Sequence, residues 1–446
     1  VQILLIKQTA FILLKFIIIS PFIFYIITPS VSFKLSTNMS TPRIAIIGAG
    51  PGGLMLARLL QHNNISCTVF ELDLNQFSRD QGGIIDLHPR AGQLALKEGG
   101  LLEEFNKHSL PEAEASKLVK ADGTIVWNDN GEAMAAIHAG ERPEIDRSVL
   151  RGILVDSIEK NSIKWNHKLV SIEATGDHKY DLHFSDSTTE KGFDLVVGAD
   201  GAWSKVRPLI TPEVPFYSGI TMIELQAHNV TASKPWLAEY AGTGSLFMFD
   251  EGRAVICQRN AHADNIRVYA GVRQPENWIK ECGIDWTAKD TARGELIDRY
   301  FGDCGPDLKR AILEASDTLT ARALYMLPVG LSWGPRVGLT LLGDAAHLMT
   351  PFAGVGVNVA LADALELARA LIKRKDKLDA VNLAEALKEY EESMFVRGEE
   401  NMAKTWKGLE HHFSATGIDE RVGKLQERDR KIAAHMAARK TEQASG

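Results

Sequence analysis

The sequence predicts an α/β fold in which a parallel, helix-flanked sheet alternates along the chain with an antiparallel sheet, followed by a long C-terminal helix. Three observations predict it. Arg43-Ile44-Ala45-Ile46-Ile47 is short, apolar and β-branched, as in a strand buried on both faces, and it runs straight into the glycine-rich Gly48–Gly53 and a helix-forming stretch, Leu54–Leu60. Between Gly219 and Arg273 the pattern changes to alternating strands, among them Arg253–Gln258 and Asn265–Ala270. From Pro351 to about residue 375, and again from about 380, the chain is rich in Ala, Glu, Lys and Arg and reads as helix.

Taken in order, the first element is an apolar N-terminal extension, residues 1–38. Residues 10–28 are close to the length that spans a bilayer and carry one charge, Lys15. Two readings compete: a membrane anchor, or a start set upstream of Met39, which directly precedes the first strand. The second reading places the protein in the cytoplasm. Cys67-Thr68-Val69-Phe70 forms the next strand and ends on Glu71, completing a βαβ unit. Thr340-Leu341-Leu342 returns to a buried strand. The expected division is residues 41–215 and 320–375 for the parallel domain, 216–319 for the antiparallel domain and 380–440 for the C-terminal helical region.

Composition excludes several functions. The 446 residues carry a net charge of -7, which gives no electrostatic footprint for nucleic acid. The 4 cysteines, Cys67, Cys257, Cys282 and Cys304, form no C-x-x-C pair, and no H-E-x-x-H or G-x-S-x-G motif is present. No metal is expected.

The motif Gly48-x-Gly50-x-x-Gly53 has a physical logic. Gly48 permits the tight turn, Gly50 lets backbone approach a pyrophosphate, and Gly53 lets helix and strand pack closely. Pro51 and Gly52 open the helix, whose N-terminus favours phosphate. Glu71, at the end of the second strand, is placed to accept from a ribose hydroxyl pair. Two later segments add to this: Asp194–Arg207, containing Asp200-Gly201, and Gly343–Asn358, containing Asp344.

With these three segments in this order, the chain resembles the group A FAD-dependent monooxygenases, the para-hydroxybenzoate hydroxylase-like class. Gly82–His88, Pro143–Leu150, Gln274–Trp278 and Tyr390–Phe395 resemble the tetracycline-inactivating flavin monooxygenases and their fungal relatives. The resemblance implies a Rossmann-type FAD-binding domain interleaved with a substrate domain. It implies a monomer of secondary metabolism that uses NADPH or NADH and O2 to hydroxylate a small aromatic or polyketide-like molecule through a flavin C4a-hydroperoxide, with no catalytic side chain. Asp344 is then expected on a ribityl hydroxyl. Pro351, Gly354, Gly356, Val357 and Asn358 are expected along the isoalloxazine edge, and Asp200 and Gly201 at a second dinucleotide contact. Arg79, Asp86 and Arg147 match residues that touch the flavin or its phosphates, and Leu169 matches one whose backbone meets the adenine. Leu72 stands where the nearest relatives carry Arg.

For the substrate, Arg273 matches a substrate-facing cation, although a lone strand Arg also reads as a surface charge. Pro351 and Phe352 are expected to line the cavity. Met222, Met248 and Tyr269 could line it or fill the core. His347 belongs to the G-D segment whatever the substrate and reads as structural. Rival functions are a flavin halogenase or reductase, and a non-enzymatic flavin-binding protein; no W-x-W-x-I-P stretch supports the halogenase.

Overall fold

The computed structural model describes residues 42–130, 142–260, 263–427 and 429–431. The N-terminal extension, and with it the choice between anchor and upstream start, lies outside the described residues. Among the described residues, no helix is long and apolar enough to cross a membrane.

Ile44–Ile47 is fully buried and sits at the centre of a five-stranded parallel sheet. Leu195–Gly198 and Thr68–Phe70 flank it in parallel register, and Leu339–Leu341 and Ile163–Lys164 form the edges. Its apolar runs are continuous because both faces are covered, by helices such as Pro51–His62 and by Phe184 and Phe193 from the strands Lys179–Phe184 and Thr189–Phe193, which pack on Phe70. Helix Pro51–His62 begins with Pro at its first turn, which lacks only an N–H that has no helical partner anyway. It packs on helix Gly356–Ile372, which packs in turn on the 33-residue helix Ala380–His412. Asp379 caps that last helix by accepting from Asn382 N. The expected C-terminal helix therefore ends at His412, and residues 417–427 form a separate helical stretch after a bend.

The second layer is a seven-stranded sheet built on Phe216–His228, Asn265–Arg273, Arg253–Asn260 and Ser245–Asp250. It is not confined to residues 216–319. Thr318–Met326 pairs with Phe216–His228 at one edge, and Ser116–Val119 and Ile125–Asn128 extend the other. Ser116–Val119 pairs in parallel with Ser245–Phe247, which sequence pattern alone could not reveal because the partners are over a hundred residues apart. A further three-stranded antiparallel meander, Leu169–Thr175, Lys179–Phe184 and Thr189–Phe193, lies within residues 41–215, the stretch that the sequence assigns to the parallel domain.

Alternation divides the faces of the large sheet. Ile266, Val268, Ala270 and Val272 pack with Leu296, Phe301 and Leu308 in one core, as does Met248. The neighbouring positions Arg267, Tyr269, Gly271 and Arg273 belong to the other face.

Candidate active site

The three motif segments meet at the C-terminal ends of three adjacent parallel strands, where open α/β sheets place their ligands. Gly48, at φ 109°, donates its N–H to Phe70 O at 2.8 Å, and a Cβ there would strike the Ala199 carbonyl. A Cβ on Gly53 would strike Gly48 O and stand 3.1 Å from Ala199 Cβ, and one on Gly52 would stand 2.7 Å from Leu342. Gly50 differs: a Cβ there would meet nothing within 4 Å. The space in front of the helix N-terminus is open, and the first-turn N–H groups have no intrahelical partner. This cradle fits a pyrophosphate.

Glu71 is 2% exposed. Its Oε2 accepts from Ala49 N at 2.5 Å and its Oε1 from Asp73 N at 2.9 Å, so it also fixes the turn it serves. The chain leaves it beside residues 166–169: His167 N donates to Glu71 O, and Leu169 starts the meander, 5% exposed. Leu72 is more than half exposed.

Arg151, which sequence reasoning missed, holds this end together. Its guanidinium is buried and donates to Ala49 O at 3.1 Å, Gln76 O at 3.2 Å and Asp73 Oδ2 at 3.0 Å. The same Asp73 oxygen accepts from Arg79 at 3.1 Å, but Arg79 is 55% exposed. The available signal was the position of Arg151, one helical turn after Arg147.

On the opposite side, Gly201 has φ 76° with open space before it, while Asp200 Oδ2 accepts from Lys205 N at 2.6 Å. The other oxygen of Asp200 is buried without a partner, and burial pushes its carboxyl pKa up. Arg207 ties the D-G and G-D segments together by donating to Ala202 O at 2.7 Å and Ala345 O at 3.0 Å.

Asp344 opens a short helix after Gly343, whose φ is 59°. It is exposed to solvent yet closely walled by protein, as a residue lining a cleft should be. That enclosure raises its pKa, against the pull of His347 and Arg147. His347 itself is buried, with Nε2 at 2.6 Å from Asp363 Oδ2. Asp363 also accepts from Gly343 N at 2.9 Å and Arg397 at 2.8 Å, joining the motif to the C-terminal helix. Burial opposes both charges, but their attraction prevails: the pKa of His347 is raised and that of Asp363 lowered. His347 is structural, as its place in the motif implied.

Asp86 joins the 351–358 segment. A Cβ on Gly354, at φ 63°, would lie 3.9 Å from Asp86 Oδ1, and His88 Nε2 is 3.0 Å from Asp86 Oδ2. Asn358 commits its amide to this junction. Its Nδ2 donates to Asp86 O at 2.9 Å, and its Oδ1 accepts from His88 N at 2.7 Å and Gly92 N at 3.3 Å. Its backbone N–H lies at the helix start, beside those of Gly356 and Val357. Arg147 is exposed, near the Gly82 turn and within electrostatic reach of Asp344, Glu144 and Tyr269.

Pro351 is exposed, whereas Phe352 is 8% exposed and packs edge-on against Phe413 at 5.3 Å. Phe352 therefore props the C-terminal segment. Arg273 is exposed at the end of its strand, with its guanidinium 5.9 Å from the Phe413 ring. Tyr269 is half-buried, its hydroxyl pushed up to about 12 mainly by burial. Among the described residues, no cluster of His, Cys, Asp and Glu could hold a metal.

Comparison with known proteins agrees with this geometry. The monooxygenase penA of Penicillium thymicola is 31% identical over 442 residues, 88% of this chain and 100% of its own. Among solved structures, Klebsiella pneumoniae HpxO complexed with FAD and uric acid matches with a TM-score of 0.69 at 22% identity, covering 88% of this chain and 95% of that one. The tetracycline destructase Tet(55) matches with a TM-score of 0.66 at 19% identity, covering 87% and 95%. The model described as FAD binding domain matches residues 41–393, and the chain belongs to that family, among the flavin-dependent monooxygenases.

Proposed function

We propose that this flavin monooxygenase takes reducing equivalents from NADPH or NADH and one oxygen atom from O2 to hydroxylate a small aromatic or polyketide-like substrate. The observation that carries the reading is the convergence of the Gly48–Gly53 turn, Asp200-Gly201 and Asp344 at one sheet end, beside the large antiparallel sheet. The bound flavin supplies the redox and oxygen-transfer chemistry; the chain supplies binding, orientation and exclusion of water.

In this reading the turn holds the pyrophosphate on the first helix, and the remaining lone pairs of Glu71 face a ribose. Leu169 and Leu72 border the adenosine end, and Arg79 and Arg147 serve the phosphates and the flavin. Asp344 accepts from a ribityl hydroxyl. The N–H groups at Gly356, Val357 and Asn358 favour negative charge at the nearby ring edge. Gly354 and Pro351 keep backbone close to the ring, and Asp86 closes it from the side. The large sheet, with strands from three parts of the chain, is the substrate domain. The protein acts in the cytoplasm as a monomer.

Purified protein should be yellow and release FAD on denaturation. A phenol and polyketide panel should contain a compound that accelerates NADPH or NADH oxidation and gains one atom from labelled O2. Release of FMN, or oxidation that no compound stimulates, would count against the proposal.

A further inference from the structure

The loop between Thr68–Phe70 and Ile84–Asp86 is held from two sides by adjacent residues. Arg79 donates to Asp73, at the glycine-turn end of the cleft. Asp80 engages the large antiparallel sheet instead. There the Arg267 guanidinium donates to both of its oxygens and Gln226 Nε2 to Oδ2 at 2.8 Å, while Gly82 N closes the turn by donating to Oδ1 at 3.0 Å. Register places Gln226 opposite Arg267 on neighbouring strands, so the sheet presents the two donors side by side.

The contact is close along the backbone as well. A Cβ on Gly83 would stand 2.7 Å from Gln258 Oε1 and 3.4 Å from the Tyr269 hydroxyl, and one on Gly82, at φ 101°, would stand 3.2 Å from Arg147 Cδ. The loop thus threads between Arg147 and the sheet. Charge favours this docking. The Arg267 side chain is 3% exposed, and both it and Arg322 bind Glu224 of the sheet. Two cations there meet one acid, and Asp80 of the loop supplies the second. A buried cation is costly without its counter-charge. Burial works against the Asp80 carboxylate, but the donors from Arg267, Gly82 and Gln226 outweigh it and hold its pKa down at about 2, so the pair stays charged through the neutral range.

We propose that Asp80 is a positioning residue for oxygen transfer: it fastens the cofactor loop to the substrate sheet and so keeps bulk water out of the space between them. With the loop fastened, NAD(P)H, a proton, O2 and substrate give NAD(P)+, water and hydroxylated substrate. With the loop loose, water enters, and NAD(P)H, a proton and O2 give NAD(P)+ and hydrogen peroxide, the side reaction that a closed site prevents. This deepens the proposed function and rests on it, because the loop must border the flavin.

The test is iodide quenching of flavin fluorescence in the holoenzyme. Asp80→Asn keeps the shape and loses the charge. It should raise the quenching constant roughly threefold to tenfold with FAD content unchanged, a range set by the screening of a half-exposed carboxylate. Asp80→Glu keeps the carboxylate on a longer arm and should stay within about twofold of the wild type. Arg322→Gln removes the neighbouring ion pair without touching the loop, and should leave quenching unchanged. Gln226→Leu takes away one donor to Asp80, should give a smaller rise, and serves if the Asn variant does not fold. With a panel compound that stimulates NADPH oxidation, peroxide formed per NADPH should rise in the same variants and in the same order. Wild-type quenching or wild-type peroxide yield in a folded, FAD-replete Asp80→Asn, or an equal rise in Arg322→Gln, would overturn the proposal. Absence of FAD from the purified wild type, seen before iodide is added, would instead mark failure of the underlying flavoprotein reading.

Discussion

The two ends of the cofactor cleft are built on opposite plans. At the glycine turn, polar side chains are committed to the chain itself: Glu71 to two backbone N–H groups, and Arg151 to two carbonyls and Asp73. At the 344–358 side, Asp344 stands in the cleft while a separate set, His347, Asp363 and Arg397, does the bracing behind it. In the proposed function, structure and ligand contact are merged at the first end and separated at the second. Substitutions at the packed positions of the turn should therefore cost folding and FAD together, and at Asp344 FAD alone.

The largest effect on FAD is expected at Gly53. In Gly53→Ala the new Cβ meets backbone that cannot move aside, an overpacking of about 1–3 kcal/mol or more, with loss of FAD. Gly50→Ala is the control within the same turn: its φ of -77° suits alanine and its Cβ meets no protein, so thermal stability should hold while FAD is lost. Retention of FAD by folded Gly50→Ala would show that the open space is not the cradle.

Next comes Arg151→Met. Removing one partner of a buried ion pair costs roughly 3–5 kcal/mol, read by urea unfolding of the apoprotein, and FAD affinity should fall with it. A stable variant with weakened FAD would blur the merged plan.

Asp344→Ala tests the separated plan. Loss of a charge-assisted hydrogen bond, about 1.5–3 kcal/mol, should weaken FAD roughly tenfold to a hundredfold with circular dichroism unchanged. Unaltered FAD affinity would reduce Asp344 to a helix cap.

A smaller effect should follow pH. The pKa of His347 is raised in the folded state, so its contribution is complete below its unfolded value near 6.5 and fades as pH rises through the folded value. The stability gap between wild type and His347→Gln should be widest in mild acid and narrow in alkali. A gap that widens toward alkali would contradict a protonated His347 beside Asp363. The smallest effect belongs to Arg79→Ala: an exposed pair to an Asp73 that Arg151 still holds is worth about 0–1 kcal/mol, so melting temperature should barely move.

The meeting of the turn and the two later segments at adjacent strand ends was legible because their demands fall on residue type, above all the glycines that close backbone approach requires. Arg151 was not legible, since an arginine in an amphipathic helix looks like a surface charge until the helix is docked. Asn358 was legible as important, but its amide serves the 86–92 backbone. The edge strands Ser116–Val119 and Ile125–Asn128 escaped because their partners arrive much later in the chain and local pattern carries no trace of them. The packing of Phe352 on Phe413 was not legible either, since the two are 61 residues apart.

That late pairing bears on the order in which the protein can assemble. Ile44–Ile47 leaves the ribosome before the other strands of its sheet, yet one neighbour comes from residues 195–198 and the next strand from 339–341. Ser116–Val119 must likewise wait for Ser245–Phe247. Nascent chains therefore carry unpaired strand edges through most of synthesis, the state in which contacts distant in sequence slow folding and invite aggregation. The cleft has both walls only once Asp344 and the helix behind it have emerged, so FAD capture should be post-translational or nearly so. Flavin supply during expression should then govern how much chain ends soluble, because the ligand stabilises the fold that the last strand completes.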